Sequence, residues 1–243
     1  MKIKLNKKIL IDNFLTPISK ISDRCVVSIF PNHVYSVVTT NEGNPILYAK
    51  VDIVCDMKED ECTLNLPNVT KLTRMLSCID SDDIELVVNS NNIEYDSLNM
   101  RFKYHLLEEG VIEKVLLTTD KIKGLTFDTD FIITRDKIVD IIKGTMFANE
   151  TNKIYFHMKD SNIYTELTDR VLSNTDSVNY FITNKFNGAQ LVKPIPLSLD
   201  IVKLFFGIKE DVSVKVNSKT NIMMFMFSGS NYILKYITTP LKK

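Results

Sequence analysis

Along most of this chain apolar and polar residues alternate with a period of two, the pattern of a strand with one buried face, and in four places the period lengthens to that of a helix. The closing stretch, Asp211 to Pro240, shows the first pattern most clearly. It reads V-S-V-K-V-N-S, then K-T-N-I-M-M-F-M-F, then S-G-S-N, then Y-I-L-K-Y-I-T-T-P. Three apolar-rich runs separated by Asn, Ser, Gly and Lys predict a three-strand antiparallel meander. A similar passage, I-E-L-V-V-N-S, N-N-I-E-Y and M-R-F-K-Y-H-L, occupies Ile84 to Leu106. The shared V-N-S ends at Ser90 and again at Ser218, a shift of 128 residues (218 minus 90) in a chain of 243. The spacing is about half the chain, so the sequence reads as one unit written twice.

The other elements fit this reading. Lys2 to Leu5 reads as a short strand. Leu10, Phe14 and Ile18 then recur every four residues with Ile11 and Leu15 beside them, which predicts an amphipathic helix capped by Asn6 and ended or kinked near Thr16 by Pro17. Strands follow at Arg24 to Phe30, His33 to Thr40 and Ile46 to Ile53, then an acidic loop, Asp56 to Glu61, and a short strand, Cys62 to Leu66. Val69, Leu72, Met75, Leu76 and Ile79 mark a second helix, and the first meander completes this half. Glu108 to Asp130 has no period and reads as a linker. Beyond it the order returns: a strand at Phe131 to Ile133, a helix from Thr134, a hairpin around Lys159-Asp160-Ser161 and a strand at Ser177 to Thr183. A loop at Asn184 to Gly188, a short strand at Leu191 to Ile195 and a helix over Leu197 to Lys209 lead into the closing meander. The expected division is 1–107, a linker 108–130, and 131–243.

Composition sets limits on function. The chain is 44% hydrophobic and 25% charged, which is ordinary for a folded soluble protein. No apolar run approaches the roughly 20 residues of a membrane span. The start carries no signal-peptide pattern, so the expected location is cytoplasmic, or the host cytoplasm if the chain is viral. Cys25, Cys55, Cys62 and Cys78 show no metal spacing and read as reduced thiols. His33, His105 and His157 form no ligand motif, and no phosphate-cradling glycine loop or nucleophile elbow occurs. No enzyme class, metal or cofactor is indicated. Tyr232, Tyr236, Phe225 and Phe227 alternate along strands, which favours core positions over base-stacking platforms.

Formal net charge is zero, so any affinity for a polyanion must come from how charge is distributed. The helical stretches Asn6 to Lys20 and Pro67 to Ile79 each carry +2, and Thr134 to Phe147 and Leu197 to Lys209 each carry +1. The rest of the chain is therefore −6. A solvated polar face accounts for lysines on any one helix. Four helices of one sign also fit a basic face turned toward a polyanion.

The element order, the length and local echoes such as Leu234-Lys235-Tyr236 followed by Pro240 resemble the sliding-clamp family of polymerase processivity factors. The resemblance covers Met1 to Lys243 and is nearest to two-domain phage-type clamps and proliferating cell nuclear antigen. It implies an α+β fold of two duplicated β-rich domains with two helices each, joined head to tail in a homotrimeric ring. Helices would line the hole and sheets the outer wall. Duplex DNA would pass through without base readout, and a DNA polymerase and a clamp-loader ATPase would be the protein partners.

Carried across by position, the DNA-facing residues are Lys8, Lys71, Arg74, Arg135, Lys143 and Lys203, with Lys2 and Lys4 secondary. The partner-peptide pocket is His33, Leu116, Leu117, Leu125, Tyr236 and Pro240. The subunit interface pairs Met100, Phe102 and Tyr104 of one chain with Val178, Tyr180 and Ile182 of the next. The alternative is a duplicated β-rich structural or interaction protein without DNA binding.

Overall fold

The computed structural model describes residues 1–57, 60–115, 125–146, 151–172 and 174–241. The chain divides into two compact units, one of Met1–Leu117 with Ser228–Lys235, the other of Thr118–Phe227 with Tyr236–Lys243. The first half of the chain supplies β1 (Lys2–Asn6), a helical run α1 (residues 7–19), β2 (Cys25–Ile29), β3 (His33–Thr39), β4 (Ile46–Asp52), β5 (Val54–Cys55) and β6 (Cys62–Leu66). Helix α2 (Val69–Ser77) follows, then β7 (Asp83–Val88), β8 (Asn92–Asp96) and β9 (Arg101–His105). The second half supplies β10 (Thr129–Ile133), α3 (Arg135–Gly144), β11 (Lys153–Lys159), β12 (Asn162–Leu167), β13 (Val178–Thr183), β14 (Phe186–Gly188) and β15 (Ile195–Ser198). It ends with α4 (Asp200–Leu204), β16 (Val212–Asn217), β17 (Ile222–Ser228) and β18 (Tyr232–Thr238).

The duplication is exact at the level of pairing. β1 pairs with β5 and β7, and β10 with β14 and β16. β2 pairs with β3 and β6, and β11 with β12 and β15. β3 continues to β4 as β12 does to β13, and β7 to β8 as β16 does to β17, all antiparallel. The apolar residues of strands and helices turn inward in each unit. In the first unit Phe14, Leu15, Ile18 and Leu76 are among them, and in the second Phe156, Phe205, Phe225 and Phe227 are. The last four pack ring against ring at 5.2–5.7 Å, with Tyr236 edge-on to Phe227 at 5.8 Å. The four aromatic residues of the closing meander read as core are buried accordingly.

Several boundaries differ from the sequence reading. Asn6 caps α1 as expected, its side chain accepting from Ile9 N at 3.2 Å. Pro17 does not end the helix. A π-turn over Ile11–Leu15 precedes it, so Pro17 sits at the opening of a fresh α-turn, Thr16–Ser19, where a missing N–H costs little. β5 and β14 are strands of two and three residues, too short for a period, and β14 replaces the loop expected at Asn184 to Gly188. Thr129 and Asp130, assigned to the linker, belong to β10. The short strand expected at Leu191 to Ile195 lies at Ile195–Ser198, so Leu197 is in β15 and α4 is a single short turn before Gly207 at φ 88.

Candidate nucleic-acid and self-association interfaces

Within the first unit α1 and α2 touch, and within the second α3 and α4 touch. Asn68 starts α2 by accepting from Lys71 N at 2.5 Å. Val69, Leu72 and Leu76 then face inward, which turns Lys71 and Arg74, one helical turn apart, to solvent. Neither side chain has an ion-pair partner among the described residues. On α3, Ile138, Ile141 and Gly144 face inward and Arg135 and Lys143 outward, again without ion pairs among the described residues. A Cβ on Gly144 would fall 2.6 Å from Tyr180 Oη, so α3 lies directly on β13.

The remaining candidate cations are engaged. Lys8 bonds Asp82 at 2.8 Å, which raises its pKa and lowers that of the aspartate. Lys203 bonds Asp200 at 2.5 Å and lowers the carboxyl in the same way. Lys2 and Lys4 share Glu85 at 2.6 and 3.5 Å. Lys7 is buried and donates to the Ile79 carbonyl. With the observed boundaries the helices carry +1, +2, +1 and 0, for +4 instead of +6. On these helices Lys71, Arg74, Arg135, Lys137 and Lys143 have no ion-pair partner among the described residues.

Among the described residues β9 ends one sheet and β13 another, each with an unpaired side. The six residues named for the subunit interface flank these edges with side chains turned inward. Tyr104 and Ile182 are buried, while Met100, Phe102, Val178 and Tyr180 are half-buried. Tyr104 Oη exchanges two hydrogen bonds with the main chain of Asn68, at 2.8 and 2.9 Å, so this face of β9 meets the start of α2. The outward residues, missed by sequence reasoning, are Arg101, Lys103 and His105 on β9 and Asn179 and Phe181 on β13. Phe181 is 42% exposed, a large ring beside an open edge.

Of the peptide-pocket residues, Leu116 and Leu117 lie outside the described residues. His33, in the first unit, stacks on Phe30 at 4.7 Å, and burial together with nearby Lys50 lowers its pKa. In the second unit Leu125 and Pro240 are half-buried, and Tyr236 is wholly buried. The first unit also has an open hollow of about 550 Å³ lined by Arg24, Val26, Val37, Thr39, Ile112 and Val115, which no sequence signal marked. Among the described residues no three His, Cys, Asp or Glu side chains converge as a metal site, and no helix is long and apolar enough to cross a membrane.

No family model and no curated protein matches the chain in sequence. Solved structures match it over its whole length in fold. A structure of the C-terminal region of FEN-1 bound to A. fulgidus PCNA superposes with TM-score 0.79 at 13% identity, covering 100% of this chain and 98% of that one. PCNA from Entamoeba histolytica gives 0.76 at 13%, covering 99% and 98%. The DNA polymerase III beta subunit from Thermotoga maritima gives 0.73 at 12%, covering 100% of this chain and 66% of that one. The chain has the DNA-clamp fold.

Proposed function

We propose that this protein is a DNA sliding clamp, a non-enzymatic ring that encircles duplex DNA and tethers a replicative polymerase. One observation carries the reading: two halves with the same strand-pairing pattern match clamps end to end, and among the described residues β9 of one and β13 of the other each end a sheet. Two such edges per chain favour head-to-tail joining, and a ring is the closed form in which neither β9 nor β13 is left open. Three chains would supply the six units expected of the ring. DNA contact falls to Lys71, Arg74, Arg135 and Lys143, which form no ion pair among the described residues. Such phosphate contacts are independent of base sequence and weaken with salt, which suits a tether that slides. A clamp-loader ATPase would open the ring, and polymerase segments would dock as short peptides with apolar anchors.

Light scattering gives the first test, with an expected mass of about 84 kDa, three times 27.9 kDa. The second is retention on nicked circular DNA with release when the circle is cut. A strict monomer at micromolar concentration, together with equal retention on circular and linear DNA, would leave only the reading as a duplicated interaction protein.

A further inference from the structure

We propose that copies of this chain join with β9 antiparallel to β13 in one defined register, Arg101 opposite Phe181 and Lys103 opposite Asn179. This rests on the clamp reading and adds to it the residues that meet.

The register follows from the duplication. The β2–β3 hairpin turns through Pro31-Asn32 and the β11–β12 hairpin through Asp160-Ser161, so Tyr35 and Val37 correspond to Tyr164 and Glu166. Their partners on the next strand are Lys50 and Tyr48 in one half and Phe181 and Asn179 in the other. Lys50 therefore corresponds to Phe181, and Tyr48 to Asn179. The last hairpin of each half closes through Ser97 N to Met100 O and Gly229 N to Tyr232 O. Arg101 then corresponds to Ile233, and Lys103 to Lys235.

The first unit holds both counterparts, because Ser228–Lys235 belongs to it and runs beside β4. Asp52 N donates to Asn231 O at 2.9 Å, and Lys235 Nζ lies 5.5 Å from the centre of the Tyr48 ring. Both contacts fit one antiparallel register, with Lys50 opposite Ile233 and Tyr48 opposite Lys235. Exchanging each residue for its counterpart sets Phe181 against Arg101 and Asn179 against Lys103.

Main-chain directions agree. Leu106 N bonds Asn91 O at 2.8 Å, and alternation along an antiparallel ladder then turns Phe102 and Tyr104 toward β8 and leaves Arg101, Lys103 and His105 directed at the open edge. The Arg101 guanidinium pairs with Asp96 in a largely solvated contact, 79% and 64% exposed, which holds it weakly. It is free to turn onto the Phe181 ring.

The test uses the full chain with exposed Cys78 replaced by serine. Lys103→Cys with Asn179→Cys places directly opposed cysteines about 5.5 Å apart between Cα atoms, within disulfide reach. Lys103→Cys with Phe181→Cys is offset by two residues, about 7–8 Å, and beyond it. Mild oxidation at micromolar concentration is expected to link chains about ten-fold faster in the first pair. Phe181→Ala is expected to weaken self-association about ten-fold, and Arg101→Ala about three-fold. Faster linkage in the offset pair, or an unchanged association constant in Phe181→Ala, overturns the register and leaves the clamp reading standing. A wild-type chain that stays monomeric overturns both.

Discussion

Tyr104→Phe measures what the contact between β9 and the start of α2 contributes. Phenylalanine keeps the ring, which is 3% exposed, and removes only the hydroxyl. Asn68 O retains a second donor, Leu72 N at 3.2 Å, but among the described residues Asn68 N has the Tyr104 hydroxyl as its sole partner. A part-buried N–H left without an acceptor costs about 1–3 kcal/mol, and a lost bond to a carbonyl that is still partnered costs less, so the expected loss is about 2 kcal/mol. For a cooperative unit of this size that lowers Tm by about 5–10 °C, read by calorimetry, with the urea midpoint shifted and its slope unchanged.

The pH dependence gives an independent check. Burial pushes the Tyr104 phenol up to about 12. A phenol pKa raised in the folded state means its stabilisation is whole below the unfolded value near 10 and is lost as pH rises from there to about 12. Phenylalanine has no such loss, so the gap between wild type and variant should narrow between pH 9 and 11.5. A loss under about 0.5 kcal/mol at neutral pH, or a gap that does not change with pH, would refute the reasoning.

Three further outcomes are expected. Gly188 sits at φ 97 where a Cβ would land on the Asp128 carbonyl, so Gly188→Ala should cost about 3 kcal/mol or more in urea unfolding. Tyr236 Oη is buried with no hydrogen-bond partner among the described residues, so Tyr236→Phe should raise stability by about 1 kcal/mol, the opposite sign to Tyr104→Phe. If Lys71 and Arg74 touch phosphates, replacing both with Gln should flatten the plot of log affinity against log salt by about 1–2. The same change at Lys8 and Lys203, already neutralised by aspartates, should move it far less.

The repeat was legible because alternation and turn residues survive where identity does not. V-N-S recurs at the ends of β7 and β16 although little else matches. The short strands β5 and β14 were not legible, since two or three residues set no period. Pro17 misled because a π-turn, which has no sequence signature, absorbs it. The helix charges were legible as residue types. Their neutralisation was not, since Asp82 lies 74 residues from Lys8. At the edges the alternation held more than was read from it: in R-F-K-Y-H the apolar residues are those that point inward, so Arg101, Lys103 and His105 were the outward set.

The return of Ser228–Lys235 to the first unit bears on how the protein is made. Until that segment is synthesised, β4 lacks its neighbour and stays an open edge. Between Asp52 and Lys235 the ribosome adds 183 residues (235 minus 52), about 9–37 s at ordinary translation rates. The amino-terminal unit is therefore among the last parts to finish folding. A nascent chain stalled before Ser228 should expose an aggregation-prone strand that the released protein hides.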